Sequence, residues 1–157
     1  MKENKVILND FKIRYLKSEK CNSSKMKKIL FVHGLGSSSD RWLDIPDALS
    51  RYFHPVVAVD LIGFGGSDKP VTVDYTIEYF SKFIRDVIDC KQIWRNDNHG
   101  DHEDNAKTII VGHSLGGYIA AKVAIEDQAL IEKLVLMDSS GMLGSQHRYL
   151  NNTLTLH

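Results

Sequence analysis

Gly112-His113-Ser114-Leu115-Gly116-Gly117 stands between an apolar run, Thr108 to Val111, and a stretch of helical spacing, Leu115 to Glu126, carried by Tyr118, Ile119, Val123 and Ala124. The bare pattern Gly-x-Ser-x-Gly occurs by chance in many glycine-containing loops. Placed where a strand ends and a helix begins, it acquires a mechanical meaning. The turn is tight enough to force the serine into strained backbone angles, and the flanking glycines avoid collisions with the neighbouring strand and helix. Strain of this kind presents the Ser114 hydroxyl to solvent. The helix N-terminus directly behind it favours negative charge, which acyl transfer generates in its tetrahedral intermediate.

Outward from this elbow the pattern repeats. Lys28 to Val32 is a short apolar run that ends in His33-Gly34-Leu35-Gly36, and Val56 to Val59 is another, left by the loop Asp60-Leu61-Ile62-Gly63-Phe64-Gly65-Gly66-Ser67. Apolar runs bounded by glycine predict buried strands. Between them, Asp40 to Ser50 carries Trp42, Leu43, Ile45 and Leu49 at roughly helical spacing, with Pro46 making the first turns irregular. After the second run, Ile77, Phe80, Phe83, Ile84, Val87 and Ile88 form one stripe of period 3.6, which predicts a helix packed on a sheet and capped by Asp74 or Thr76. Val6 to Leu8 and Lys12 to Leu16 flank the turn-prone pair Asn9-Asp10 and predict a hairpin at the start of the sheet, with a polar loop over 18–27. Residues 92–106 are polar and apolar-poor, a surface insertion. Leu134 to Met137 is the sixth strand. Strands alternating with helices imply one α/β domain with a mostly parallel sheet.

The 157 residues suit one domain, and 43% hydrophobic with 25% charged residues is the composition of a globular chain. Lys plus Arg balance Asp plus Glu at 20 each, so no net field favours nucleic acid or an anionic membrane, and a small, nearly neutral ligand is expected. Val6 to Leu8 is too short for a secretory apolar region, and no run reaches membrane-spanning length. Cys21 and Cys90 stand in no metal or redox spacing and read as free thiols, so a reduced, cytoplasmic setting is expected. His99, Asp101, His102, Glu103 and Asp104 form a solvated charge run, since consecutive loop residues rarely converge on one ion. Neither a metal nor a cofactor is expected.

The elbow, the His33-Gly34-Leu35-Gly36 loop and Asp60-Leu61-Ile62-Gly63-Phe64-Gly65-Gly66-Ser67-Asp68-Lys69-Pro70 together resemble the α/β-hydrolase superfamily, in order and over most of the chain, in its serine-nucleophile, capped lineage. The resemblance implies that Ser114 is the nucleophile, that the Leu35 and Leu115 N–H groups form the oxyanion hole, and that Gly34, Gly36, Gly112, Gly116, His33 and His113 support them. A serine argues against the haloalkane dehalogenase and epoxide hydrolase members, which need a carboxylate nucleophile. Ester, thioester or amide hydrolysis of a small acyl substrate remains, with carbon–carbon hydrolysis of the meta-cleavage type. The superfamily orders its triad nucleophile, acid, histidine. Asp138, at the end of the sixth strand, is a candidate acid or else caps a turn with Ser139 and Ser140; His147 is the candidate base, and His157 follows it. The resemblance therefore implies an α/β-hydrolase sheet truncated after the sixth strand, without cap or C-terminal strands. Leu134 to Met137 would then be an exposed apolar edge open to self-association.

Two rival readings use the same residues. Gly34-x-Gly36 after a strand, with Asp60 ending the next strand, is the start of a dinucleotide-binding fingerprint whose third glycine is replaced by Ser39. A non-catalytic, ligand-binding member of the superfamily would account for an incomplete triad.

Overall fold

The computed structural model describes residues 1–19, 27–49, 52–53, 55–95 and 106–141. Among them six strands form one sheet in the order β1-β2-β4-β3-β5-β6: β1 (Lys2–Leu8), β2 (Phe11–Lys17), β3 (Lys28–Val32), β4 (Val56–Val59), β5 (Thr108–His113) and β6 (Ile131–Met137). β1 pairs with β2, and β2 with β4, antiparallel; β4, β3, β5 and β6 run parallel. Asn9 and Asp10 hold φ of 49° and 68°, the two positive angles that a tight hairpin turn needs to match strand twist.

All residues of β3 and β4 are buried, as expected of parallel strands covered on both faces. Alternation divides them cleanly. Leu30, Val32, Val57, Val59 and Ile110 face one side, packed with Ile84 and Val87 of α2 (Ile77–Asp89), Ile93 and Trp94 of α3 (Lys91–Trp94) and Ile119 and Val123 of α4 (Leu115–Glu126). Ile29, Phe31, Val56, Ala58, Ile109 and Val111 face the other side, against Trp42. Each large side chain buried in this way contributes roughly 1.5–3 kcal/mol.

The helix expected over 40–50 is instead two pieces, a 3₁₀ turn over Ser39–Trp42 and α1 (Asp44–Leu49). The Ser38 side chain caps the first piece by accepting the Asp40 N–H, and burial of Trp42 fixes it against the sheet. Thr76, not Asp74, caps α2: its Oγ1 accepts the Tyr79 N–H at 3.1 Å. The polar insertion over 92–106 begins later than its composition suggests, because Ile93 and Trp94 are buried in α3 and the Trp94 indole donates to the Val87 carbonyl at 2.9 Å. Two adjacent apolar side chains suffice to anchor the head of that segment. Its residues 96–105, the charge run included, lie outside the described residues, as do Cys21, His147 and His157.

Register decides what meets at the C-terminal edge of the sheet. Val32 of β3 lies beside Gly112 of β5, and Met137 of β6 beside His113. The segments that start at His33, Ser114 and Asp138 therefore emerge side by side.

Candidate active site

Ser114 sits between β5 and α4 at φ 52° and ψ −121°, a conformation that costs a residue with a side chain about 1–3 kcal/mol. Its neighbours hold it there. The Ser114 N–H donates to the Met137 carbonyl at 3.1 Å, and its own carbonyl accepts the N–H groups of Gly117 at 3.0 Å, Tyr118 at 3.2 Å and Ser140 at 3.0 Å. The glycines around it are required by contact. A Cβ on Gly112 would lie 2.6 Å from the Gly117 Cα, and one on Gly116 would run into the carbonyl oxygens of Val32 and His33. Both obstacles are backbone, so neither can move aside.

The loop after β3 lies directly against the serine. A Cβ on Gly34 would be 3.0 Å from the Ser114 Cβ and 3.2 Å from the His113 Nδ1. His33 is fully buried; its Nε2 accepts the Leu61 N–H at 3.0 Å, so Nδ1 carries the proton and donates to the Gly34 carbonyl at 2.7 Å. Burial holds the imidazole below its ordinary pKa, which keeps it neutral. The Gly34 carbonyl also accepts the Ser37 N–H at 3.3 Å. Because a trans peptide points its C=O and N–H in opposite directions, fixing that carbonyl fixes the direction of the Leu35 N–H. His33 is thus committed to positioning a candidate oxyanion donor and is not available as a base. Gly36, at φ 67°, gives the loop its left-handed turn. The Leu115 N–H, at the first position of α4, has no partner within the helix.

His113 packs its Nδ1 against Gly34 of the loop after β3. Its Nε2 lies 3.2 Å from Nη2 of Arg41, whose guanidinium can only donate, and its buried Nδ1 has no hydrogen-bond partner among the described residues. Asp138 is exposed at φ 45°, one residue past β6 on the same edge as Ser114. Among the described residues no hydrogen bond joins it to Ser114. The turn it begins does reach the serine: Ser140 Oγ lies 3.2 Å from Ser114 Oγ. That contact escaped the sequence reading, which treated Ser139 and Ser140 only as turn partners of Asp138. The available signal was topological, since parallel neighbours end on one edge and a polar tetrapeptide after β6 must lie beside the end of β5.

Asp60 is fully buried and fully engaged. Its carboxylate accepts the Ser39 N–H at 2.6 Å and the Gly66 N–H at 2.7 Å, and pairs with Nη1 of Arg14 at 3.0 Å. Burial alone would raise its pKa, but these donors outweigh burial and hold it below the usual carboxylate range. No lone pair is directed outward for a ribose, which removes the structural basis of the dinucleotide reading. Among the described residues no three His, Cys, Asp or Glu side chains cluster as a metal site, and no helix is long and apolar enough to cross a membrane.

Comparison with known proteins follows the same line. A family model described as alpha/beta hydrolase fold matches residues 27–153. A 1-acylglycerol-3-phosphate O-acyltransferase of Arabidopsis thaliana is 34% identical over 113 residues, 72% of this chain and 25% of that protein. Lipase 3 of Moraxella sp. is 30% identical over 113 residues, 72% of this chain and 32% of its own length. The crystal structure of a membrane phospholipase A, a bacterial virulence factor, superposes with a TM-score of 0.76 at 26% identity, covering 92% of this chain and 41% of that one. The chain thus spans about a third or less of these two curated relatives.

Proposed function

Because the chain belongs to the α/β-hydrolase fold family, a family of hydrolases and lipases, we propose that it is the nucleophile-bearing part of a serine hydrolase that cleaves ester, thioester or related acyl bonds of small molecules. The observation that carries this reading is Ser114, held at φ 52° at the head of α4 with Gly34 packed against its Cβ. In this mechanism Ser114 Oγ attacks the acyl carbon while its proton passes to an imidazole. The oxyanion accepts the N–H groups of Leu35 and Leu115, the alcohol or thiol leaves, and water then hydrolyses the acyl-enzyme. Asp138 and His147 follow Ser114 in the superfamily's chain order and are the proposed acid and base. Among the relatives, a lipase and an acyltransferase point to acyl esters, while a 2-hydroxy-6-oxo-6-(2'-aminophenyl)hexa-2,4-dienoic acid hydrolase keeps carbon–carbon hydrolysis beside them.

Labelling with a fluorophosphonate tests the proposal, because only an activated serine reacts at a useful rate. The expected result is a single adduct on Ser114 by peptide mapping, abolished in Ser114→Ala. A wild-type protein that takes up no label overturns the hydrolase reading and favours a ligand-binding member of the family. That second reading has its own support: among the described residues the partner of Ser114 Oγ is a hydroxyl, which is a poor base.

A further inference from the structure

Ser140 is tied to residue 114 twice, by its N–H to the Ser114 carbonyl at 3.0 Å and by its hydroxyl, 3.2 Å from Ser114 Oγ. The turn that brings it there is specifically shaped. Asp138 and Gly141 bracket it with φ of 45° and 78°, and Ser139 Oγ donates to the Ser140 carbonyl at 3.1 Å. Ser139 itself occupies the space that a side chain at Gly117 would need, 2.7 Å from the position of that Cβ. A glycine in α4 thus makes room for the turn, and the turn delivers a hydroxyl to the candidate nucleophile.

We propose that Ser140 is a catalytic residue of the same site: its hydroxyl donates a hydrogen bond to Ser114 Oγ, holds the nucleophile in its attacking rotamer and stabilises negative charge on that oxygen. The proposal rests on the serine-hydrolase reading above. The direction of donation follows from the chemistry, since the Ser114 proton must stay free to leave for a base while Oγ keeps a lone pair toward the acyl carbon. During attack the Oγ–C bond forms, the carbonyl π bond opens onto the oxyanion, and the Ser114 proton passes to the base. The Ser140 proton stays on Ser140 throughout. When the acyl-enzyme breaks down, Oγ is the leaving group, and the same donor supports its departure.

The test compares wild type, Ser140→Ala and Ser140→Thr by the second-order rate of fluorophosphonate labelling at Ser114 and by crystal structures of the wild-type and Ala proteins. Loss of one hydroxyl contact predicts labelling about 5-fold or more slower in Ser140→Ala, restored by Thr, which keeps the hydroxyl on an exposed position. The melting temperature should stay within a degree or so, because the backbone bond to the Ser114 carbonyl survives in both variants. Equal labelling of wild type and Ser140→Ala overturns the proposal and leaves the hydrolase reading standing. If the wild type takes up no label, the hydrolase reading falls and the crystal structures decide: a Ser114 side chain that changes rotamer in Ser140→Ala supports the positioning contact, and an unchanged rotamer refutes it.

Discussion

His33 shows how a residue whose type suggests catalysis is fixed in another role. Both ring nitrogens are used on backbone groups, one from each of the loops after β3 and β4, and burial keeps the ring neutral. The unfolded chain titrates this imidazole at an ordinary value of about 6.5, whereas the folded protein holds it lower. Protons therefore bind the unfolded state better. The stability that His33 contributes is complete above about pH 6.5 and is lost as pH falls through the folded-state value. Asp60 cannot mimic this between pH 5 and 8, because its lowered pKa confines its own loss to more acid conditions, below the ordinary carboxylate value of about 3.9. Melting temperature from pH 8 to 5 should consequently fall more steeply in wild type than in His33→Gln, although the variant is less stable throughout. Parallel curves would show that His33 is not held neutral by the fold.

The strand-turn-helix element carries a sharper demand, because β5 meets α4 at Gly112, and α4 meets the end of β3 at Gly116, more closely than any side chain permits. Gly112→Ala should cost ~3 kcal/mol, since the methyl meets backbone and cannot be relieved by a rotamer change. Chemical denaturation measures this directly, and a loss below half of that figure would mean the elbow relaxes. This element was also the most legible part of the sequence. The helix read over Leu115 to Glu126 coincides with α4, and the runs at Lys28 and Val56 with β3 and β4, because buried segments bounded by glycine satisfy local rules. Edge strands were under-read for a physical reason: Lys2 to Lys5 of β1 and Glu132-Lys133 of β6 carry charges toward solvent and lack an apolar run. Contacts between distant residues were not legible at all. Ser114 meets Ser140 across 26 residues, His33 meets Leu61 across 28, and Arg14 meets Asp60 across 46. Each is set by strand order and register, which no local spacing encodes.

Across the whole molecule the two edges of the sheet are defended unequally. β1 borders one side with Lys2, Glu3 and Lys5 along a half-exposed strand, the charge pattern that discourages pairing with another chain. β6 pairs only with β5 among the described residues, and it exposes Val135 by 44% and Met137 by 39%. An unpaired row of backbone N–H and C=O groups beside exposed apolar side chains is a template for a further strand. The chain is therefore expected to self-associate through β6, with a mass that rises with concentration in sedimentation velocity. Val135→Lys places a charge on that surface without disturbing the core and should shift the population toward monomer. The matching change on the defended edge, Ile7→Lys, where Ile7 is already 63% exposed, should leave the distribution unchanged. Association that is abolished equally by both variants would indicate general loss of hydrophobic stickiness. A wild-type protein that stays monomeric at every concentration would refute association through β6.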